Sequence, residues 1–403
     1  MNRAGNASSY RIAIVNRFAP PDGAPTATAA AELAHDLAAA LPHAVITLYA
    51  SNASYNTAAS CAPNLPTRRT RSIYAGKWPP ARLAASLLEG WTLARRAARE
   101  ADLVISLSDP PLLSLWTDRA CRAHGRRWIE WTLDRYPDFF AAAGLIGHHH
   151  PLLRFLAGWD ARVRHDAVIA LGAGQLSHLA GKRGPLPTSI VLPVGLIPPP
   201  ALTPNRGPPP DPTLPLTLIY AGNLGEAHNP SALTAILNRA DPARFRFRLA
   251  VRGRHAAGLH RQLANHPAVS WQEHLSTDDL SAAAAHLVSL SVRATHLSVP
   301  SKAVTAVCLG RPFLFIGAAE ADTWRDLGCA GWLIPEHPDG TLPPAAIDAA
   351  LMGLADPAQH DARTTAARAL AMKLHETRSA AIATIAAIIR SFQRQDNADS
   401  AAV

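Results

Sequence analysis

The chain has 403 residues, too many for one hydrophobic core of ordinary size, so two domains are expected. Apolar residues make up 48% and charged residues 17%, the balance of a soluble globular protein, and no apolar run reaches the ~18 residues that a spanning helix needs. The net charge of +9 lies almost wholly in the first half: residues 1–195 hold 21 Lys/Arg against 13 Asp/Glu, residues 196–403 hold 18 against 17.

Between residues 68 and 99, eight basic residues face the single acid Glu89, with Tyr74, Trp78 and Trp91 among them. Such a stretch suits anionic lipid headgroups or a polyanionic substrate, and it equally suits a solvated helix face. No nucleic-acid recognition motif accompanies the charge. The opening "MNRAGNASSYRIAIVN" lacks the apolar centre of a secretory signal and reads as a tail entering a strand. Cys61, Cys121, Cys308 and Cys329 share no metal-ligand spacing, which points to reduced thiols and a cytoplasmic protein.

In chain order, "YRIAIVN" is a strand, "RFAPPDGAPT" a turn-rich loop, and Leu33, Leu37 and Leu41 mark a helix before the strand "AVITLYA". "ARLAASLLEGWTLARRA" predicts a helix whose inner stripe is Leu83, Leu87, Trp91 and Ala94, leading into the strand "ADLVISLS". "RRWIEWTLD", "DAVIAL" and "TSIVLPVG" read as further buried strands. This alternation predicts a doubly wound parallel sheet.

Residues 193–215 then carry ten prolines in 23 positions, incompatible with helix interior or central strand, and predict a stiff linker. The pattern restarts with "LTLIYAGNLG", a helix from about Ser231, "FRFRLAVRG", "AVSWQE", "AAAAHLVSLSV" and "PFLFIG". A long Ala- and Ile-rich helix from about Pro357 closes the chain. Two Rossmann-like halves of this kind face each other across a cleft at the carboxyl ends of their strands, where ligands of such folds sit.

Five segments carry the chemistry. In "IYAGNLGEAHN" (219–229), Gly222 and Gly225 allow close backbone approach to a phosphate at a helix start. In "SVPSKAVTAVCLGRPFLFIG" (298–317), Pro300 suits a first helical turn, and Lys302 stands at the positive end of the helix dipole, where an offsetting anion is favourable. "EWTLDRYPDFF" places Glu130, Asp134 and Asp138 at a strand end and in the following loop, as groups to orient a hydroxyl or move a proton. Gly23 brings the first loop's backbone towards the cleft, and Arg252 and Arg254 in "AVRGRH" offer guanidinium to a diphosphate. The triplet in "GHHHP" (147–151) has no partner cluster for a metal, and "LGAGQL" (171–176) is a lone G-x-G.

Together these segments resemble the GT-B glycosyltransferases, in particular the large retaining family numbered four and its branch that assembles bacterial exopolysaccharide, colanic acid or O-antigen units. "RFAPPDGAPTATAAAELAHDL" is similar to that branch's first loop and helix, "LDRYPD" to its Asp-x-Tyr-Pro segment, "YAGNLGEAHN" to its glycine loop, and "VPSKAVTAVCLGRPFLFIG" to its Pro-Ser-Lys helix and Gly-Arg-Pro exit. The resemblance implies an acceptor domain over 1–195, a linker over 196–215, and a nucleotide-sugar domain with its C-terminal helix over 216–403. It implies transfer of a sugar from a nucleotide diphosphate sugar, with retained configuration, to a saccharide acceptor carried on polyprenyl diphosphate. Gly222, Asn223 and Gly225 would lie against the donor diphosphate, with Lys302 and Arg252 contacting phosphate. Gly23 would approach the reacting centre and Asp134 would seat the acceptor.

The resemblance also implies that no metal and no cofactor beyond the co-substrate is needed, since dipoles and basic side chains stabilise the leaving group. It places the protein in the cytoplasm, peripheral on the inner face of the plasma membrane. The chain departs from the pattern at one point. Many relatives have two glutamates eight positions apart around this helix, and Leu297 and Thr305 stand there. A ribose contact then falls to Thr305 or Glu320. A nucleotide-sugar epimerase of similar fold and a non-catalytic GT-B module supporting another transferase are the alternatives.

Overall fold

The computed structural model describes residues 9–52, 65–72, 79–197 and 215–401. Cys61, Tyr74, Lys77, Trp78 and residues 198–214 of the proline-rich stretch lie outside the described residues. The first sheet contains β1 (Arg11–Val15), β2 (Val45–Ser51), β3 (Thr67–Thr70), β4 (Leu103–Ser106), β5 (Arg127–Thr132), β6 (Ala167–Ala170) and β7 (Thr188–Val191). Its order is β3-β2-β1-β4-β5-β6-β7. The second contains β8 (Leu216–Asn223), β9 (Phe245–Arg252), β10 (Val269–Trp271), β11 (Ala285–Ser289), β12 (Phe313–Gly317) and β13 (Gly331–Pro335), in the order β10-β9-β8-β11-β12-β13.

Every pairing in both sheets is parallel. The expected pair of doubly wound domains is therefore observed, each with its order reversing beside the first strand. The strands are buried on both faces because helices cover both, which is why "LVIS", "AVIA" and "FLFIG" are apolar throughout rather than alternating.

The helix Pro79–Glu100 turns differently from its predicted stripe. Leu93, Ala94, Ala97 and Ala98 are fully buried against the sheet, while Leu88 is 54% exposed and Leu87 and Trp91 are half-buried beside Trp116. Of the predicted stripe, Ala94 thus lies in the core and Leu87 packs against it, while Trp91 stands at the flank and Leu93, Ala97 and Ala98 complete the buried face. Glu89 is also not a surface acid. It is 1% exposed and bonded to Arg17 at 2.9 Å. Arg68 and Arg96 pair with Glu100, and Arg69 donates to the carbonyls of Ser51, Ala19 and Pro20. Part of the basic run thus holds the domain together.

The 45-residue helix Pro357–Ala401 ties the halves. Ala367 packs in the second domain against the helix Ser301–Cys308 and Phe313, whereas Ile382, Ile385, Ala386 and Ile389 enter the core of the first. At about 1.5 Å per residue the helix is roughly 68 Å long, enough to span both. Midway, Arg378 reaches Asp36 at 2.7 Å and Glu32 at 3.5 Å on the first domain's opening helix, Pro25–Ala40.

A second tie explains the lone G-x-G. Asp322 of the second domain accepts from the backbone amides of Gly174 (2.6 Å) and Gln175 (2.9 Å), capping the helix Ala173–Arg183 of the first. A Cβ on Gly172 would stand 2.4 Å from the Asp322 side chain, and one on Gly174 would stand 2.8 Å from it. These glycines make room for a carboxylate from the other domain. Asp322→Ala is expected to cost about 2 kcal/mol, as a lost charged cap does, and Gly172→Ala to reproduce much of that loss. Urea-unfolding midpoints measure it, and unchanged midpoints in both variants would rule out this cap as a tie.

Candidate functional site

The carboxyl edges of the two sheets face each other, and the loops leaving them carry the polar groups. On the second domain, β8 ends in Gly222, whose φ of +116° favours glycine; a Cβ there would press on Lys302 Cε at 3.2 Å. Lys302 comes from the start of the helix Ser301–Cys308, and Pro300 stands before that helix as its N-cap rather than within its first turn. The ammonium donates to the Asn223 carbonyl at 3.0 Å, lies 5.1 Å from the Tyr220 ring and sits 3.5 Å from His228 Nε2. His228 Nδ1 donates to the Ser289 carbonyl at 2.6 Å, so Nε2 is left as the acceptor facing Lys302.

Burial and the Lys302 charge push the His228 pKa down to about 3, which keeps the imidazole neutral. Burial alone lowers Lys302 to about 8. The site thus holds one cation that is partly stripped of water, with no carboxylate salt-bridged to it among the described residues. An incoming anion gains from both the charge and the helix start.

Asn223 and Gly225 share this loop. The Asn223 side chain folds over Gly253, where a Cβ would clash with its Oδ1 at 1.9 Å, and over Gly225, where a Cβ would stand 3.0 Å from its Nδ2. Arg252 is exposed at the end of β9, in register with Asn223. Arg254 and His255 instead pair with Glu226 of the loop. Thr305 donates to the Gly195 carbonyl at 2.9 Å, so its hydroxyl is engaged with the end of the first domain. Glu320 is exposed in the loop after β12, and Leu297 is 6% exposed between the domains.

The first domain presents carboxylates. Asp134 lies after β5, partly buried; burial raises its pKa, against a hydrogen bond from Ser298 of the other domain. The next residue, Arg135, donates its backbone amide to Leu297 at 2.9 Å, and Gln175 donates to the Leu133 carbonyl at 3.1 Å. Asp109, after β4, is the least expected member. Burial pushes its pKa up to about 7, opposed by Arg17 and reinforced by Asp134, Glu89 and Asp22. Gly23 follows Asp22 in the loop after β1, where Asp22 accepts from Ala24 N at 2.9 Å. The Tyr136 phenol, raised by burial first, is raised further by Asp134 and Asp109 and by Glu226 of the glycine loop. The two faces of the cleft are thus within electrostatic reach of each other.

Two predicted carboxylates have other work. Glu130 is buried with Arg183, Arg135 and His165; burial opposes its charge, but those partners hold its pKa well below the usual carboxylate range. With Asp160, this network anchors Arg135 and so the loop bearing Asp134. Asp138 is paired with His178 at 2.9 Å and Lys182 at 3.4 Å. Among the described residues no group of side chains is arranged to hold a metal, and the "GHHHP" histidines are exposed.

No protein-family model and no characterised protein sequence matches the chain. Solved structures do. Sucrose-phosphate synthase from Thermosynechococcus elongatus superposes with a TM-score of 0.69 at 15% identity, over 97% of this chain and 100% of that one. WaaG, a glycosyltransferase involved in lipopolysaccharide biosynthesis, gives 0.64 at 14% identity over 94% and 99%. UDP-glucose: anthocyanidin 3-O-glucosyltransferase in complex with UDP gives 0.58 at 13% over 95% and 99%. At such identities the likeness defines the fold, which is GT-B.

The raised Asp109 predicts a pH signature. An unfolded carboxyl titrates near 3.8 and the folded one at about 7, so the native state holds the extra proton between them. Stability falls as pH rises through that window and then levels. Asp109→Asn is expected to flatten this fall, as read by thermal melts from pH 4 to 8; an unaltered slope would show that Asp109 does not titrate there.

Proposed function

We propose that the protein is a glycosyltransferase that moves a sugar from a nucleotide diphosphate sugar to a saccharide hydroxyl. The observation that carries this reading is Lys302, partly desolvated at a helix start beneath Gly222, with Ser298 of the same segment hydrogen-bonded to Asp134 of the first domain. In this reading the diphosphate lies over Gly222, Asn223 and Gly225. Lys302 neutralises the charge that builds on the departing phosphate oxygen, and exposed Arg252 assists. The bond between the anomeric carbon and that oxygen breaks while the acceptor oxygen bonds to the carbon. Asp134 holds the acceptor hydroxyl and Gly23 lets the first loop approach the donor sugar. Retention follows if the acceptor attacks on the face the diphosphate leaves, its proton passing to the departing oxygen. No metal is called for in this scheme, because the ammonium and the helix dipole supply the positive charge.

The first domain's charge excess supports an acceptor held at an anionic surface, in keeping with a lipid-linked substrate of bacterial surface polysaccharide assembly on the inner face of the plasma membrane. Among the described residues no helix is long and apolar enough to cross a membrane. One observation favours a second reading, a non-catalytic module. Thr305 is engaged by Gly195, and Leu297 is buried, so neither supplies the ribose contact made by a carboxylate in similar proteins. Glu320 is free to take that role on the enzymatic reading.

Nucleotide diphosphates at about 100 times their dissociation constant are expected to stabilise the chain by about 2.7 kcal/mol. A thermal-shift series reads this, and Lys302→Ala should abolish it. Because the free ammonium titrates at about 8 and binding favours its charged form, affinity should weaken as pH rises through that value. Stabilisation that survives Lys302→Ala, or no stabilisation by any nucleotide diphosphate, would remove the donor assignment.

A further inference from the structure

The helix Ser301–Cys308 opens with Lys302 in the cleft and closes at the far, amino edge of the second sheet, where Gly310 and Arg311 lead into β12. The Gly310 and Arg311 amides donate back to the Val307 and Ala306 carbonyls at 2.8 and 2.9 Å, which fixes the turn. Arg311 then enters the protein. It is 6% exposed, its Nε is buried without a hydrogen-bond partner, and among the described residues its guanidinium meets no carboxylate. Buried charges are ordinarily paired, because an unpaired one loses its hydration with nothing to replace it.

The surroundings add to the imbalance. Arg368, exposed on the terminal helix, lies over Gly310: a Cβ there would stand 3.1 Å from its Cγ and 3.4 Å from its Nε. Its charge joins burial in lowering the Arg311 pKa, and among the described residues no carboxylate salt-bridges it. Thr364 stands one turn before Arg368, with its Oγ1 buried and unpartnered. His360, a turn earlier still, and His286 of β11 donate from Nε2 to the Ala284 and Leu280 carbonyls, each at 2.9 Å. Burial, with Arg311 adding to it, lowers the pKa of both imidazoles and keeps them neutral. Asp361, the acid that His360 senses, is exposed and bridges neither arginine. The negative end of the helix Ser301–Cys308 offsets only about half an elementary charge, against two guanidinium groups.

We infer that Arg311, Arg368 and Thr364 form a binding site for a small tetrahedral oxyanion of the phosphate class. The guanidinium groups supply the charge and the planar donors that such an ion takes, and the Thr364 hydroxyl supplies a neutral donor. Exposed Arg368 is the entrance and buried Arg311 the floor, which suits a free ion better than a phosphoryl group on a large molecule. The bound ion ties the terminal helix to the end of the helix that begins with Lys302. The inference is independent of the transferase reading, because the site lies at the opposite edge of the sheet from the glycine loop.

Calorimetric titration of inorganic phosphate into the full chain, at constant ionic strength in chloride buffer, tests this. Saturable phosphate binding is expected, with sulfate competing and phenyl phosphate at least about tenfold weaker. Arg311→Met and the exposed change Arg368→Gln should each weaken phosphate about tenfold or more. Lys302→Ala should leave this binding in place, which separates the ion from any held in the cleft. Melting temperatures give a second readout. Without phosphate, Arg311→Met should melt no lower than the unaltered chain, since it removes an unpaired buried charge; with saturating phosphate it should melt lower. Absence of phosphate binding, or binding unmoved by both arginine variants, would overturn the site. So would an Arg311→Met chain destabilised equally with and without phosphate. Phenyl phosphate bound as tightly as phosphate would overturn the free-ion assignment.

Discussion

The structure depends on how two separately cored domains are held with their carboxyl edges opposed, and the Asp322 carboxylate is central to that. It spends its charge on two amides at the start of a helix from the other domain, where the helix dipole adds to the hydrogen bonds. Beside it, the Leu297 carbonyl receives the Arg135 amide, and Arg135's guanidinium is locked by Asp160 and Glu130. The loop carrying Asp134 is thus positioned by a buried charge network on one side and by the opposite domain on the other. The terminal helix adds apolar burial in both cores, so the cleft is set by contacts remote from its chemistry.

Within that frame, the two faces of the cleft are electrically opposed. The second domain offers an ammonium whose neighbours are a carbonyl, a neutral imidazole and an aromatic ring, none of which cancels its charge. The first offers Asp134, whose pKa burial raises, and Asp109, which burial pushes up to about 7 with Asp134, Glu89 and Asp22 adding to the rise. On the proposed reading, an anionic leaving group lies on the second domain's face and a hydroxyl-bearing acceptor on the first domain's.

Much of the fold was legible because buried parallel strands are continuous apolar runs and their helices are Ala-rich, so the alternation shows without any tertiary information. The helix Pro79–Glu100 is instructive where it was misread. Periodicity identified the helix and turned Leu87 and Ala94 towards the core, but Ala offers no contrast between faces, so Ala97 and Ala98 carry no signal and Trp91 stands at the flank instead of inward. Glu130 shows the same limit for chemistry. A carboxylate at a strand end looks the same in sequence whether it faces substrate or an arginine 53 residues away. Asp109 was passed over although it follows β4 directly, at the edge where ligands of doubly wound sheets bind; that topological rule was the available signal. His228 lay inside the quoted glycine loop, but its role depends on the Ser289 carbonyl 61 residues later.

By itself the sequence determined the two α/β domains, the glycine loop and the lysine at a helix start, because each follows from local periodicity, backbone freedom and helix electrostatics. Only the tertiary structure decided that Gly172 and Gly174 receive a carboxylate from the other domain, that Thr305 is engaged by a backbone carbonyl, and that Asp109 and Asp134 share a face. Those outcomes rest on desolvation and on contacts between residues far apart in the chain, quantities that no local pattern encodes.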